Sequence, residues 1–296
     1  MRKTCQHTVP ETVSPVRLSD YGAGIFEGLP SRAGFKKAIK RGEIFVNGKV
    51  GTTGIIVVPG MKISWHPRER GITKTYHTSL QVVFEDDYLA VVNKPGGIVV
   101  SGNRFRTLEN ALPDHLYPSP LPDILPAARA VHRLDEATGG LVIIAKTANA
   151  RIRLGDQLEN REVTKKYTVV VIGETPDLWE SDMPVDNKEA LTKFKKLYAV
   201  PSLVSGTLTM LEAQPVTGRK HQIRKHLWWN RLPVLGDKKY AHENFILKGK
   251  GLFLCATPIP FKHPENNTQL NFSVDPPPKF SRFLEGEKKR FLKYQK

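Results

Sequence analysis

The chain has 296 residues, of which 40% are hydrophobic, and it carries a formal net charge of +16 at pH 7. This length suits two domains, and this composition suits a buried core rather than an intrinsically disordered chain. The positive charge indicates a polyanionic partner, nucleic acid before acidic membrane. An apolar run of about 20 residues and a signal-like start are both absent from the sequence, so we expect neither a membrane span nor secretion. Two distant cysteines, Cys5 and Cys255, predict a reducing cytoplasm and no disulfide.

The amino-terminal quarter is disproportionately basic, because residues 1–75 contain 13 basic and 5 acidic residues. Its centre, residues 30–65, has the pattern of a short basic helix followed by small strands, with Ser31 as helix N-cap and a tight turn at Asn47-Gly48. Three apolar residues share one face of the predicted helix: Phe35, Ala38 and Ile39. The other faces are cationic, with Arg32, Lys36, Lys37, Lys40 and Arg41.

Two stretches of this segment, residues 41–49 and 58–61, resemble the small RNA-binding domain of the S-four type, first named from a ribosomal protein of the small subunit. Met61 stands where that motif usually has an acidic residue, and the sequence before Pro30 lacks the expected first helix. The resemblance implies a small α/β RNA-binding domain over residues 1–75. Its expected phosphate contacts, which position RNA, come from Arg32, Lys36, Lys37, Lys40, Arg41 and Asn47. Considered alone, the charge run fits a solvated surface about as well.

A polar stretch at residues 66–78 marks the predicted linker, so a second domain is expected over residues 76–296. Hydrophobic runs predict strands near residues 80–87, 88–95, 141–147, 165–173 and 206–214. Helical signals lie near residues 104–112, 148–159 and 218–230, and the basic tail from Lys279 is expected to be loosely ordered. The pattern indicates an α+β domain dominated by a sheet.

One polar loop, residues 131–140, immediately precedes a run that reads as a buried strand. Loops held by a core strand often carry active residues, and Asp135 is the candidate here. Arg133 could orient this carboxylate or bind a phosphate. An Arg-x-Asp pair by itself, however, is more often a structural salt bridge.

Residues 132–140 resemble the His-Arg-Leu-Asp-x-x-Thr-Ser-Gly signature of the RluA-like pseudouridine synthases, with Gly139 in place of the serine. Five further motifs of that family have matches in the family order, at residues 91–97, 165–167, 188–194, 217–224 and 235–240. The resemblance implies the pseudouridine synthase fold, an α+β domain whose mixed, mainly antiparallel central sheet is flanked by helices and loops. It also implies isomerisation of uridine to pseudouridine in structured ribosomal or transfer RNA.

Family position assigns the catalytic roles to Asp135, Tyr167 and Arg224, without cofactor or metal. Asp135 would begin the reaction either as a nucleophile or as the base that removes a ribose proton to give a glycal; both routes stay open. Arg224 would keep the carboxylate ionised and oriented. Tyr167 would stack on uracil and help to remove the C5 proton. Without the resemblance, Tyr167 reads as an ordinary strand aromatic.

Recognition of a uridine within a stem requires base flipping, and Arg133 would fill the gap or hold the phosphate of the flipped nucleotide. Arg219 and Lys220 would extend a basic groove along the RNA, although solvated helix charge explains Lys220 about as well. His221 and Gln222 are interpreted as structural hydrogen-bonding residues. Cys255 is interpreted as a buried core residue rather than a nucleophile. A monomer without an obligate protein partner is expected.

Three other functions compete with this interpretation. A catalytically inactive RNA-binding protein could retain the fold, and a glycosidase acting on free nucleosides would also attack at C1′, although it would not need so basic a surface. A zinc deaminase requires a Pro-Cys-x-x-Cys motif, and the sequence contains none. The sequence also lacks a His-Glu-x-x-His motif, so no metal site is predicted.

Overall fold

The computed structural model describes residues 5–67, 75–240 and 249–294. The chain divides into two compact units, Met1–Thr73 and Lys74–Lys296. The predicted linker at residues 66–78 lies partly outside the described residues. None of the helices that the structure describes is long and apolar enough to cross a membrane.

The amino-terminal unit contains a four-stranded antiparallel sheet with the order β1-β6-β3-β4, and a separate two-stranded pair, β2-β5. The strands are β1 (Cys5–Thr8), β2 (Val16–Arg17), β3 (Ile44–Val46), β4 (Lys49–Val50), β5 (Ile56–Val57) and β6 (Lys62–Trp65), and the helices are α1 (Leu18–Tyr21) and α2 (Arg32–Lys40). Among the described residues before Pro30, the helical structure is thus the single turn of α1, which is shorter than a regular first helix.

Helix α2 follows the predicted pattern. The Ser31 hydroxyl accepts a hydrogen bond from the Gly34 amide at 3.1 Å, which confirms the N-cap. The predicted apolar face, which includes Phe35, is buried in one core with strands β3 and β6. The following hairpin turns at Asn47 and Gly48, whose φ angles of 46° and 77° are those of the type I′ turn that Asn-Gly favours.

The carboxy-terminal unit is built on a large sheet with the order β12-β13-β14-β11-β15-β10-β8-β7, and β9 pairs with β10 beside this path. Its strands are β7 (Gln81–Glu85), β8 (Leu89–Lys94), β9 (Ile124–Ala130), β10 (Gly139–Thr147), β11 (Tyr167–Ile172), β12 (Leu178–Ser181), β13 (Thr192–Ser202), β14 (Gly206–Pro215) and β15 (Leu254–Ala256). A separate antiparallel pair comprises β16 (Pro258–Lys262) and β17 (Gln269–Ser273). The helices are α3 (Leu108–Ala111), followed by the 3₁₀ turn Leu112–Asp114, α4 (Ala148–Glu159), α5 (Gln222–Trp229) and α6 (Lys279–Tyr294).

The centre of the sheet joins two antiparallel halves through one parallel pairing, between β10 and β15. The end of β15 lies between the first residues of two strands, because Ala256 pairs with Gly140 on one side and with Tyr167 on the other. Gly140 has a φ of +117°, and a Cβ there would lie 2.1 Å from the Ala256 carbonyl oxygen, so only glycine fits. Strands β10 and β11 therefore begin on either side of the end of β15, which places the loop before β10 and Tyr167 at the same edge of the sheet.

The α+β class with a mainly antiparallel sheet is confirmed, since the β10–β15 pairing is the one parallel pairing among the described strands of this sheet. Helix α4 has the predicted bounds, whereas the helices predicted at residues 104–112 and 218–230 are shorter. The family motif at residues 188–194 enters a strand only from Thr192, where β13 begins, because Val185 and Lys188 close a local turn before it. The sequence patterns did not predict β9, β12, β16 and β17.

The prediction of a loosely ordered tail is wrong. Residues 279–294 form α6, whose Phe280 and Leu284, one turn apart, are buried against the core. Glu287, on the same face, accepts a hydrogen bond from the buried Ser202 hydroxyl at 2.5 Å. The helix is therefore held by tertiary packing of an apolar stripe, which the surrounding lysines and arginines hide in the sequence.

Candidate active site

A cleft of about 810 Å³ opens in the carboxy-terminal unit where β10 and β11 begin and where α5 follows β14. The three predicted catalytic residues, Asp135, Tyr167 and Arg224, all line it. They come from three different parts of the chain: the loop before β10, the first residue of β11, and the first turn of α5. The antiparallel pairing of Tyr167 with Ala213, near the end of β14, explains why the last two meet.

The loop that carries Asp135 is fixed on both sides of this residue. The preceding Leu134 is buried in the core, and the Thr138 amide donates to the Asp135 carbonyl oxygen at 3.1 Å. The Gly97 amide donates to the Glu136 carbonyl oxygen at 2.7 Å. The backbone of Asp135 is therefore held from within the loop and from the turn at residues 95–97.

That turn follows Lys94, a fully buried lysine at the end of β8. Its ammonium group donates to the carbonyl oxygens of Pro95 and Ile98 at 2.9 and 2.8 Å, and to that of Glu136 at 3.4 Å. Burial lowers the pKa of Lys94 to about 8, although the negative charge of Asp135 acts in the opposite direction. Lys94 thus ties the turn to the loop and places positive charge beneath Asp135.

Gly139, the departure from the family signature, lies in this packed region. A Cβ at this position would lie 3.3 Å from the Lys94 carbonyl oxygen, which is tighter than ordinary contact. The glycine therefore fits the narrow space between the loop and the turn, and it leaves the Asp135 carboxylate in the cleft.

Arg224 links two carboxylates. Its guanidinium donates to Asp237 through Nε at 2.7 Å and through Nη2 at 2.9 Å. It donates to Asp135 Oδ2 through Nη1 at 3.3 Å. Burial opposes the positive charge, but hydrogen bonds and attraction from Asp237, and then from Asp135, raise the pKa of Arg224. The pairing with Asp135 was predicted; the closer pairing with the fully buried Asp237 was not.

Asp237 belongs to the Leu-Gly-Asp turn and is held as firmly as the arginine. Its Oδ1 also accepts from the amides of Lys239 and Tyr240 at 2.8 and 3.1 Å. Burial alone would raise the pKa of Asp237, but the hydrogen bond from Arg224 and the two amides outweigh it and lower that pKa. Asp237 therefore fixes the direction in which Arg224 presents its remaining N–H group.

His221 also reaches Asp135, a contact that the sequence interpretation of a purely structural residue missed. Its Nε2 lies 3.7 Å from Asp135 Oδ1, and its Nδ1 forms a 2.9 Å hydrogen bond with the Tyr240 hydroxyl. Its φ of 57° is left-handed, a conformation that costs free energy in a non-glycine residue and that often occurs at functional sites. Each oxygen of the Asp135 carboxylate thus faces one nitrogen.

Gln222 has the structural role expected for it. Its side-chain oxygen accepts from the Thr217 hydroxyl at 2.7 Å and from the Arg219 amide at 3.0 Å, and its side-chain nitrogen donates to Leu191 and Thr192. These bonds close the turn before α5 and attach it to the start of β13.

Tyr167 lies in the cleft with Asp135, whereas Cys255 belongs to the core of the unit. Tyr167 lines the cleft, and burial, followed by the negative charge of Asp135, raises its pKa well above the ordinary value of 10. Its hydroxyl is therefore protonated at neutral pH. Cys255 is buried as predicted, and burial raises the pKa of its thiol to about 11, which is unfavourable for a nucleophile.

Of the predicted RNA-binding residues, three line the cleft: Arg133, Arg219 and Lys220. Arg133 and Lys220 are exposed, and Arg219 donates through Nε to the Glu189 carbonyl oxygen at 3.0 Å.

The other predicted RNA-binding residues lie in the amino-terminal unit. Arg32 pairs with Asp20, and Arg41 forms two hydrogen bonds with the buried Glu43, so both arginines are partly neutralised within their own unit. The Asn47 side chain accepts from the Lys62 amide at 2.8 Å and so supports its own hairpin.

The three lysines of α2 differ from these arginines. Lys37 and Lys40 are exposed and Lys36 is half-buried, and within the described residues none of the three has a carboxylate partner. The same described residues contain no group of three His, Cys, Asp or Glu side chains that could hold a metal ion.

Comparison with known proteins identifies the family to which the chain is similar. Residues 88–229 match the family model described as RNA pseudouridylate synthase. The chain is 30% identical to ribosomal large subunit pseudouridine synthase C of Haemophilus influenzae, with 90% of each chain covered. It is 31% identical to ribosomal large subunit pseudouridine synthase D of Vibrio cholerae, with 91% and 90% covered. The structure of human RNA pseudouridylate synthase domain containing 1 superposes with a TM-score of 0.55 at 20% identity, over 70% of this chain and 86% of the human chain, and so has a similar fold.

Proposed function

The chain belongs to the RluA-like family of RNA pseudouridine synthases and is an isomerase that acts on RNA, and we propose that its substrate is a uridine of ribosomal RNA and that Asp135 begins the reaction. Two of the relatives reported above are named for the large ribosomal subunit. A net charge of +16 suits a polyanionic substrate of this kind. We expect the protein to act as a monomer in the cytoplasm.

The observation that carries the proposed role of Asp135 is its position in the cleft. Its side chain is 22% exposed, faces Arg224 at 3.3 Å and faces His221 at 3.7 Å. The carboxylate is therefore open to a substrate and at the same time held by two nitrogen-bearing groups. An oriented anion of this kind can act at the ribose or the base of a bound uridine without a cofactor.

The surrounding residues supply orientation and charge. Arg224, fixed by Asp237, holds Oδ2 of Asp135, whereas Oδ1 faces His221 at 3.7 Å, beyond hydrogen-bond distance, and so can still accept a bond from the substrate. Tyr167, as a neutral phenol beside the carboxylate, offers a ring face for uracil and a hydroxyl that can donate a hydrogen bond. We propose stacking as its main role, because removal of the C5 proton by Tyr167 would require a phenolate that its raised pKa disfavours.

RNA would approach along the basic rim of the cleft, with the target uridine flipped out of its stem. Arg133, which is exposed at the rim and paired with no carboxylate among the described residues, would fill the gap or contact the flipped nucleotide. Arg219 and Lys220, which also line the cleft, would contact the RNA backbone. We further propose that the amino-terminal unit, residues 1–75, binds RNA through α2.

The experiment that tests the proposal compares the wild-type protein with Asp135→Asn on transcripts of large-subunit ribosomal RNA. Pseudouridine is mapped by carbodiimide-blocked primer extension. Asparagine preserves the size of the side chain but removes the charge, so we expect modification by the wild type and a loss of at least about 10³-fold in the variant. Equal modification by both proteins would refute the role of Asp135.

The inactive RNA-binding alternative gives a different result in the same assay. A protein of that kind would bind the transcripts without producing pseudouridine. The positions of Asp135, Tyr167 and Arg224 around one cleft favour the active enzyme. Transfer RNA, tested in parallel, shows whether the substrate is the ribosomal class.

A further inference from the structure

Two adjacent lysines precede Tyr167 and have different surroundings. Lys166 pairs with Glu212 of the neighbouring strand β14 at 2.9 Å. Lys165 lines the cleft instead, as His132 and Arg133 do. The Lys-x-Tyr motif therefore places one lysine on the sheet and the other inside the substrate cleft.

Lys165 is a partly buried cation without a carboxylate partner among the residues that the structure describes. Burial lowers its pKa, and no anion offsets that effect. His132, which feels the charge of Lys165, does not compensate it, because burial, and then the positive charge of Lys165, lowers the pKa of His132 to about 3 and leaves the imidazole neutral. A partly buried, uncompensated charge destabilises a folded protein.

An anionic ligand would remove this cost, and the proposed substrate carries one anion per nucleotide. A lysine ammonium and an arginine guanidinium, those of Lys165 and Arg133, line the same cleft as the loop that carries Asp135. A phosphate accepts several charge-assisted hydrogen bonds from such groups. In the free protein the charge of Lys165 would thus be uncompensated, and bound RNA would neutralise it.

We propose that Lys165 is a binding site for a backbone phosphate next to the target uridine, which it holds with Arg133. This inference rests on the proposed action on RNA. The contact between Lys165 and the phosphate would be partly buried, and it would fix the depth to which the flipped nucleotide enters the cleft. Exposed cations of the rim, such as Lys220, cannot set that depth.

Three variants test the proposal: Lys165→Met, Lys165→Arg and, as the matched control, Lys166→Met. The first removes the unpaired charge, the second keeps a charge, and the third removes the adjacent, ion-paired lysine. Binding of each protein to a fluorescent transcript of large-subunit ribosomal RNA is measured between 50 and 300 mM salt, and melting temperatures are measured without RNA.

For Lys165→Met we expect about tenfold weaker binding and a salt slope reduced by about 0.7 to 0.9, the value for one lost phosphate contact. We also expect a melting temperature about 2 to 4 °C higher, because the uncompensated charge is gone. Lys165→Arg should retain the wild-type slope, and Lys166→Met should change neither quantity appreciably. A residue with only a structural role would instead lower the melting temperature and leave the slope unchanged.

An unchanged salt slope in Lys165→Met overturns the proposal, whichever way the melting temperature moves. So does an equal loss of slope in Lys166→Met, since that result would indicate general charge rather than one site. The binding assay does not require turnover. A protein that binds RNA through Lys165 but makes no pseudouridine would therefore refute the proposed function and leave the phosphate site supported.

Discussion

Helix α2 and the cleft are both rich in positive charge, but they hold it in different ways. In α2, Lys37 and Lys40 point into solvent, and within the described residues no carboxylate partner fixes them. In the cleft, Arg224 has a side chain only 8% exposed and is held between two carboxylates. The lysines of α2 are therefore free to adopt many orientations, whereas the guanidinium of Arg224 in the cleft is held in one.

This difference has a physical consequence for RNA. Exposed lysines increase the affinity for RNA through counterion release. Their contributions to the binding free energy are roughly additive and decrease as the salt concentration rises, and they do little to fix the position of the RNA. A buried and paired arginine costs desolvation, but it can place a reacting group to a fraction of an ångström. We therefore expect substitutions in α2 to change binding, and substitutions around Arg224 to change catalysis.

Among substitutions at residues that only position charge, the largest effect should come from Asp237→Asn, which keeps an acceptor but removes the charge that fixes Arg224. With Arg224 free to turn, we expect kcat for pseudouridine formation to fall about 10²-fold while RNA affinity stays within about twofold. We also expect the free energy of unfolding to fall by about 2 kcal/mol, since Asp135 remains as a partner for the buried guanidinium. Single-turnover kinetics and urea unfolding measure the two quantities.

The matched control is Asp186→Asn. Asp186 also pairs with a cation of α5, Lys225, but it lies exposed at the surface. Exposed ion pairs contribute little, so kcat should be unchanged. Equal losses in the two variants would break the distinction between buried and exposed charge.

An intermediate effect is expected when Lys36, Lys37 and Lys40 of α2 are all replaced by glutamine. If this helix contacts RNA phosphates, affinity should fall about tenfold at 100 mM salt, and the salt slope should decrease by about 2 to 3. The kcat value should be retained, because none of these lysines lies at the cleft. Titration of labelled transcripts at several salt concentrations provides the test, and an unchanged slope would refute RNA binding by α2.

We expect replacement of His132 to have the smallest effect on activity but a clear effect on the pH dependence of stability. Its pKa is about 3 in the folded protein against an ordinary value of 6.5, so between these pH values the unfolded chain binds a proton that the folded chain does not. Stability should therefore fall as pH decreases from 6.5 towards 3. In His132→Gln this fall should be shallower by at most about 1.4 kcal/mol per pH unit, as measured by urea unfolding between pH 7 and 4.5. If the free energy of unfolding depended on pH in the same way in both proteins, the lowered pKa of His132 would be contradicted.

Local patterns predicted those elements whose cause is local. The Ser31 cap, the buried face of α2 with Phe35, and the Asn47-Gly48 turn each depend on residues within a few positions of one another. Helix α4 has the predicted bounds for the same reason, since its N-cap Thr147 acts within one turn. Strand β9, by contrast, contains a proline and lacks an alternating pattern, and it forms because β10 offers an edge for pairing.

The sequence by itself determined the family motifs and the positive charge that suits RNA. Through the motifs it also predicted Asp135, Tyr167 and Arg224 as the catalytic residues. All of this depends only on residue type and order. Only the tertiary structure decided that Arg224 is shared with Asp237, that His221 reaches Asp135, and that Lys165 lies in the cleft while Lys166 pairs on the sheet. The physical reason is that ion pairing and desolvation depend on distance and burial. These are set by the register of β10, β11 and β14, whose residues are far apart along the chain.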